Sequence, residues 1–181
     1  EIGSGLVGSG DVYKRQLVRN KGVIWQEKKN SGQMLTTYKG KALKPFTRYY
    51  WSVTVWDQNR QVSEQTISSF ETGFLNTAQW KGSFISDGKD IELRETPYFR
   101  KEFILKKNVK SARAYIVAAG LYELSLNGSK VGDHFLDPAF TDYGKRLLYV
   151  TYDVTHLLHE GENAVGVILG NGWYNHQPVA E

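Results

Sequence analysis

Hydrophobic and polar residues alternate along several stretches of the chain with the two-residue period of a β-strand. The clearest stretch is 50–56, in which aromatic and β-branched residues share one face of the predicted strand. The Asp-Gln-Asn run at 57–59 predicts a turn, and 66–72 predicts the returning strand. A shorter β-prone run precedes them at 35–38.

The second half of the chain carries a longer series of the same pattern, which predicts strands at 98–105, 111–119, 121–126 and 163–169. Asn127 and Gly128 predict a type I′ hairpin turn, because both central positions of that turn need a positive φ. The helical signal is confined to about one turn, which Asp153 or Thr155 can cap and Gly161 can end.

These elements predict an all-β chain made of two tandem β-sandwiches. Residues 1–16 are rich in Gly and Ser without apolar periodicity, so we assign them to a linker-like or non-native segment. The first module is expected at 17–76 and the second at 77–181. Because no stop signal follows the last turn, the second module is expected to be incomplete at its C-terminus and the chain to be a fragment of a longer protein.

Four residues at every second position precede the penultimate predicted strand of the first module: Leu43, Pro45, Thr47 and Tyr49. This run resembles the tyrosine corner of fibronectin type III and immunoglobulin-like sandwiches, in which a tyrosine hydroxyl bonds to upstream backbone. The resemblance implies a truncated fibronectin type III-like module whose first strands are missing. Unpaired edges would then favour association.

Two strings in the second module carry a more specific resemblance. The passage from Asp153-Val154-Thr155 to Gly161-Glu162-Asn163 is typical of galactose-binding-like jelly rolls. Two further strings make the resemblance more specific: residues 136–143 (Leu-Asp-Pro-Ala-Phe-Thr-Asp-Tyr) and residues 170–177 (Gly-Asn-Gly-Trp-Tyr-Asn-His-Gln). Together they resemble the N-terminal β-sandwich region of bacterial α-L-rhamnosidases.

The resemblance implies a parent glycoside hydrolase that removes terminal α-L-rhamnosyl residues with inversion. The family's catalytic carboxylates lie on a downstream (α/α)₆ barrel, so no catalytic residue can be carried over to this chain. The expected partners are that barrel and a rhamnose-containing glycan or glycoside. A periplasmic or extracellular location is implied by the family alone, because no signal peptide is visible.

Composition excludes several other classes. The chain has no cysteine, which excludes disulfides and thiolate metal sites. Its net charge of +4 divides into +5 over residues 1–79 and −1 over the rest, and the basic residues are scattered without a nucleic-acid motif. Nucleic acid is therefore not an expected partner. No apolar run reaches 18 residues, so a membrane span is not expected either.

Aromatic and polar residues in the loops of the second module suit a sugar site, which needs a flat apolar ring and fixed hydrogen-bonding groups. The candidates are Asp137, Asp142, Tyr143, Asn171, Trp173, Tyr174 and Asn175. Some relatives bind rhamnose with calcium, so the resemblance allows calcium but no organic cofactor. The alternative for Trp173 and Tyr174 is packing against the catalytic barrel, because tyrosine and tryptophan are frequent at interfaces.

Simpler roles are open for other candidates. Asp137 and Asp142 could form a catalytic carboxylate pair, but a turn-forming role for both is favoured, because aspartate is a common turn residue. His156 and His159 have the spacing of two metal ligands, but no third ligand is evident, so solvated or hydrogen-bonded histidines are favoured. At the level of the chain, the alternatives are a free-standing carbohydrate-binding module and a structural β-sandwich of another cell-surface protein.

Overall fold

The computed structural model of the chain describes residues 2–7, 23–29, 35–89 and 95–175. These ranges contain strands and two short 3₁₀ turns but no α-helix, which confirms the all-β prediction. The strands are β1 (Ile2–Val7), β2 (Trp25–Lys29), β3 (Arg48–Val55), β4 (Thr66–Glu71), β5 (Tyr98–Leu105), β6 (Arg113–Val117), β7 (Leu121–Leu126), β8 (Ser129–Lys130), β9 (Tyr149–Asp153) and β10 (Gly161–Gly170).

The first compact unit spans Glu1–Gly82 and contains one antiparallel sheet in the order β2-β1-β3-β4. Strand β3 alternates in part: Tyr50 and Ser52 are buried, while Trp51 and Val55 on the other face are 40% and 44% exposed. Tyr50 packs against partly buried aliphatic side chains from the neighbouring segments. One face of this sheet is therefore the inner face of the unit.

The tyrosine corner is confirmed. Tyr49 is buried, and its hydroxyl accepts a hydrogen bond of 2.8 Å from the backbone N–H of Lys44. Thr72 closes the same region: its hydroxyl donates to the Lys44 carbonyl at 2.6 Å and accepts from the Thr47 N–H at 3.0 Å. The loop before β3 is thus pinned to the residue that follows β4.

The first residues of the chain differ from their linker-like composition. Ile2–Val7 forms β1, which pairs with both β2 and β3 and so lies inside the sheet. A strand can be held by backbone hydrogen bonds alone, so a Gly- and Ser-rich run gives no side-chain pattern from which to predict it. The boundary between the two units lies at Gly82 and Ser83, against the expected 76 and 77.

The β-prone run at 35–38 is not a strand. Tyr38 instead packs its ring against Trp25 at 5.2 Å in an edge-on arrangement, and its hydroxyl donates to the Lys41 carbonyl at 2.6 Å. These side-chain contacts hold the segment without a partner strand. The surroundings of residues 35–38 therefore override their β-propensity.

The second compact unit spans Ser83–Glu181 and contains two sheets, β5-β10-β7-β8 and β6-β9. Side chains from both sheets meet in one hydrophobic core, whose buried members are Ala118, Tyr122, Leu124, Leu126, Val131, Tyr152 and Val154. The unit is therefore a β-sandwich, while its finer jelly-roll topology stays a prediction.

The predicted hairpin and helical turn of this unit are both present. Asn127 and Gly128 have φ values of +49° and +80°, as a type I′ turn requires. The Asn127 side chain also donates to Asn163 at 2.9 Å and accepts from the Ala164 N–H at 2.8 Å, which ties the hairpin to β10. The helical signal is a single 3₁₀ turn, Thr155–Leu157.

Candidate functional site

Two surface features of the second unit contain or adjoin the predicted site residues. The first is a cluster of rings that we call the aromatic patch, formed by Phe140, Tyr143, Trp173 and Tyr174. The second is a cleft of about 280 Å³ beside the sheet of β10 and β7, which we call the Asp137 cleft. They are connected along the chain, because Gly170 lines the cleft and Trp173 follows it by three residues.

The rings of the aromatic patch pack edge to face. Phe140 lies 5.8 Å from Tyr143 and 6.0 Å from Trp173, and Tyr143 lies 5.6 Å from Tyr174, measured between ring centres. This geometry is the favoured one for aromatic pairs. Phe140, Trp173 and Tyr174 are nevertheless 65%, 62% and 54% exposed. The patch is thus an ordered apolar surface that faces water.

The end of β10 positions half of this patch. After Gly170 the chain turns, and the Asn175 N–H donates to the Asn171 carbonyl at 3.4 Å. The turn between β6 and β7 comes so close that a Cβ on Gly120 would lie 2.6 Å from the Gly170 carbonyl oxygen. The approach leaves no room for a side chain at position 120. Glycine there therefore allows the turn that contains Trp173 to lie against the turn between β6 and β7.

Asp142 forms a turn of its own, in agreement with the favoured simple role. Its carboxylate accepts from the Gly144 N–H at 3.1 Å and pairs with the Lys145 ammonium at 2.9 Å. Its carbonyl accepts from the N–H groups of Lys145 and Arg146, both at 2.9 Å. These bonds hold the segment that carries Phe140 and Tyr143 in the patch.

Asp137 lies in the cleft, at the end of a chain of hydrogen bonds. One of its carboxylate oxygens, Oδ2, accepts from the Tyr152 hydroxyl at 2.7 Å and contacts Nδ1 of His134 at 2.9 Å. The Tyr152 hydroxyl is in turn 3.1 Å from the buried Tyr122 hydroxyl. Because Tyr152 donates to the carboxylate, Tyr122 is the donor to Tyr152.

Burial governs the acidity of the two tyrosines. Removal from water raises the pKa of Tyr122 well above the ordinary value for tyrosine, and its hydrogen bond with Tyr152 raises it further. Burial likewise raises the pKa of Tyr152, and the neighbouring Asp137 carboxylate adds to the increase. Both phenols therefore stay protonated at neutral pH and act as hydrogen-bond donors.

The structure brings together three of the seven predicted residues, Tyr143, Trp173 and Tyr174, and places Asn171 and Asn175 on the same turn. Asp137 and Asp142 have separate partners. The sequence reasoning missed Phe140, the ring that joins both halves of the patch, although it lies inside the motif at 136–143. It also missed Tyr122, Tyr152 and His134, whose contacts span up to 30 residues of sequence.

Metal-ligating groups are sparse in the described ranges, where no three His, Asp or Glu side chains come together as a metal would require. His156 and His159 are exposed, and Nδ1 of His159 lies 3.2 Å from the Glu160 carbonyl. The calcium ion that the resemblance allows stays a prediction.

Two family models match the chain. The model described as the α-L-rhamnosidase N-terminal domain matches residues 107–181. The model described as the Rha78A-like N-terminal immunoglobulin domain matches residues 11–76 and so begins inside the segment of linker-like composition. The two matches fall in the second and first units respectively.

Individual relatives agree with these matches. An α-L-rhamnosidase of Formosa agariphila is 40% identical over 176 residues, covering 83% of this chain and 18% of that protein. Solved α-L-rhamnosidases from Dictyoglumus thermophilum and Aspergillus terreus superpose with TM-scores of 0.82 and 0.80, at 39% and 29% identity. They cover 95% and 96% of this chain but only 21% and 20% of their own lengths. The chain thus spans about a fifth of each of these three proteins.

Proposed function

Because the chain belongs to the α-L-rhamnosidase family and carries its N-terminal immunoglobulin-like and β-sandwich domains, we propose that it is the non-catalytic part of a glycoside hydrolase that removes terminal α-L-rhamnosyl residues. The hydrolysis itself belongs to the remainder of the parent protein, on an (α/α)₆ barrel. In this proposal the present chain scaffolds that barrel.

The roles of the two candidate carboxylates support a non-catalytic assignment. Inverting glycosidases need two carboxyl groups about 6.5–9.5 Å apart, one acid and one base, on either side of the scissile bond. Asp142 is engaged in its own turn with Lys145, whereas Asp137 is engaged with Tyr152 and His134. Each carboxylate therefore has a local structural partner instead of a shared substrate position.

The observation that carries the scaffold proposal is the exposure of the aromatic patch. Three large rings there are more than half exposed although they pack against one another. Such side chains offer about 150–250 Å² each, and exposed apolar patches of a few hundred Å² mark interaction sites. Tryptophan and tyrosine also dominate the energetic centres of interfaces. We therefore assign the patch to contact with the catalytic barrel of the parent chain.

Sequencing the parent reading frame past residue 181 is the first test. The proposal expects the β-sandwich to continue into several hundred residues of helical sequence that contain paired acidic residues. An unrelated domain or a stop in that position would refute the assignment to a rhamnosidase.

The second test uses the full-length parent with Trp173→Ala. Loss of an aromatic ring at the energetic centre of an interface costs about 2 kcal/mol or more, so we expect a lower thermal midpoint and weaker hydrolysis of an aryl α-L-rhamnoside. The matched control is Ile104→Ala, which removes an apolar side chain that is 71% exposed on β5. Equal effects of the two substitutions would contradict docking through the patch.

Rhamnose binding by the patch is the second candidate function. It is favoured by the exposed Trp173 ring beside the amides of Asn171 and Asn175, which together offer a stacking surface and polar groups. Titration of this chain with L-rhamnose, with and without calcium, tests it through the indole NMR signals. A folded chain whose indole signals do not saturate would remove this candidate.

For location, we propose the periplasm or the extracellular space, where rhamnose-containing glycans are accessible. Neither of the short helical turns in the described ranges could span a bilayer. Fractionation of the source cells with an antibody to the parent protein would check the proposal, and recovery only with the cytosol would refute it.

A further inference from the structure

The Asp137 cleft has the size and chemistry of a small-ligand site. Its volume of about 280 Å³ lies just below the ~300–1,000 Å³ of drug-sized sites, so it suits a single ring. Leu121 and Ile168 provide apolar lining, and Phe135 and Leu136 stand at its edge, 81% and 74% exposed. These two side chains give the rim of the cleft an exposed apolar surface.

One hydrogen-bond acceptor in this cleft is preorganised. Tyr152 and His134 both bond to the same carboxylate oxygen of Asp137, Oδ2. Within the described ranges, the other oxygen, Oδ1, accepts no hydrogen bond. The carboxylate is only 20% exposed and is fixed by the buried Tyr122–Tyr152 pair. It can therefore accept a bond from a ligand hydroxyl without reorganisation.

The charges around the cleft disfavour an anionic ligand. Lys130 lies 3.2 Å from Glu123 and 4.0 Å from the centre of the Phe135 ring, so its ammonium is engaged by a carboxylate and an aromatic face. Once this pair is discounted, Asp137 and its neighbour His134 are the ionisable side chains at the polar end of the cleft, with the two protonated tyrosines. A hydroxyl donor matches that end better than an anion or a second carboxylate would.

Backbone conformation adds an independent sign. Leu136, at the edge of the cleft, has a φ of +60°, in the left-handed region that a bulky side chain seldom adopts. Residues held in such conformations cluster at ligand clamps and active sites. The conformation presents Leu136 at the edge of the cleft immediately before Asp137.

We infer that the Asp137 cleft binds one neutral pyranose ring, with Asp137 Oδ1 accepting a sugar hydroxyl and Phe135 and Leu136 covering the apolar face of the ring. The choice of a sugar as the ligand class rests on the proposed function, whereas the site itself is separate from the aromatic patch. It would let the non-catalytic region hold one residue of a glycan that the parent enzyme degrades.

The test is an NMR titration of this chain with L-rhamnose, D-galactose and D-glucose in turn, with glycerol as a small polyol control. We expect saturable shifts of His134 and of the Leu121–Leu126 amides with at least one sugar, and none with glycerol. Asp137→Asn should weaken binding about tenfold or more, as loss of a hydrogen bond to a charged group does. Phe135→Ala should weaken it as well.

Further variants separate this inference from its alternatives. Because Asp137→Asn also disturbs Tyr152, Phe135→Ala provides a second variant, at a position that is 81% exposed. Ile104→Ala should leave the affinity unchanged. NMR shifts that show no saturable change with any of the three sugars would overturn the inference. An unchanged sugar affinity in Phe135→Ala would also overturn it. Loss of binding in Trp173→Ala alone would transfer the site to the patch. None of these results depends on the sequence beyond residue 181. That sequence tests the proposed parent enzyme, so the two proposals can fail separately.

Discussion

Single residues hold both units of the chain through hydrogen bonds that link distant positions. Tyr49 was predictable from its spacing to Pro45 and Thr47, because the tyrosine corner is a local device. The Tyr122–Tyr152–Asp137 chain was not predictable, since its members are separated by 15 and 30 residues and no short motif connects them. At this scale, hydrogen bonds between residues close in sequence can be predicted, whereas those between distant residues require the fold.

Tyr49→Phe tests the corner. The substitution removes the hydroxyl that accepts from the Lys44 N–H and leaves that donor in a partly buried place. We expect the free energy of unfolding to fall by about 1–3 kcal/mol, measured by urea denaturation. Tyr98→Phe is the control, because Tyr98 is 75% exposed and its hydroxyl meets water. Equal stability of the two variants would show that the corner is not a stabilising contact.

The buried tyrosines predict a loss of stability at alkaline pH. The folded chain retains the Tyr122 and Tyr152 protons to a higher pH than the unfolded chain, where tyrosine ionises near pH ~10. Their contribution is therefore complete below about pH 10 and declines as the pH rises beyond it. Tyr122→Phe should make this decline shallower in urea denaturation between about pH 9 and 11. Parallel curves for Tyr122→Phe and the unsubstituted chain would contradict the assignment.

At the scale of elements, alternation was a good guide where one face of a strand is buried. The predicted bounds of β5 and β7 agree with the structure, and β3 and β10 were placed within a few residues. Strand β1 escaped prediction because a Gly- and Ser-rich run has no apolar face. The aromatic patch was predicted in part, through Trp173 and Tyr174, but the ring that joins its halves required the fold.

Two glycines at strand ends give a prediction about turns. Gly128 and Gly120 both have positive φ, but a Cβ on Gly128 would meet nothing, whereas one on Gly120 would meet the Gly170 carbonyl at 2.6 Å. Gly128→Ala should cost about 1–2 kcal/mol for the backbone conformation alone. Gly120→Ala should cost about 1–3 kcal/mol more, because backbone must move. Chemical denaturation of both variants checks this, and a smaller cost at Gly120 would refute the close approach.

At the scale of the whole molecule, an exposed patch and a modest charge act together. The net charge of +4 gives weak repulsion between copies, and salt screens it. We expect the isolated chain to self-associate in sedimentation experiments, more strongly at high salt, through the aromatic patch. Trp173→Ala should reduce association and Ile104→Ala should not. A chain that stays monomeric at every salt concentration would contradict the prediction.

Strand β10 has a consequence for the order in which the second unit is assembled. It lies between β5 and β7, yet it follows both along the chain, with Gly161 paired to Leu105 and Gly170 to Leu121. Its two neighbours therefore cannot join into one sheet until residues 161–170 have been synthesised. Pairing over such separations requires closure of long loops, which slows folding. A nascent chain that stalls before residue 161 would expose two open strand edges, which is the form in which this unit is most at risk from aggregation and in which a chaperone would have most to protect.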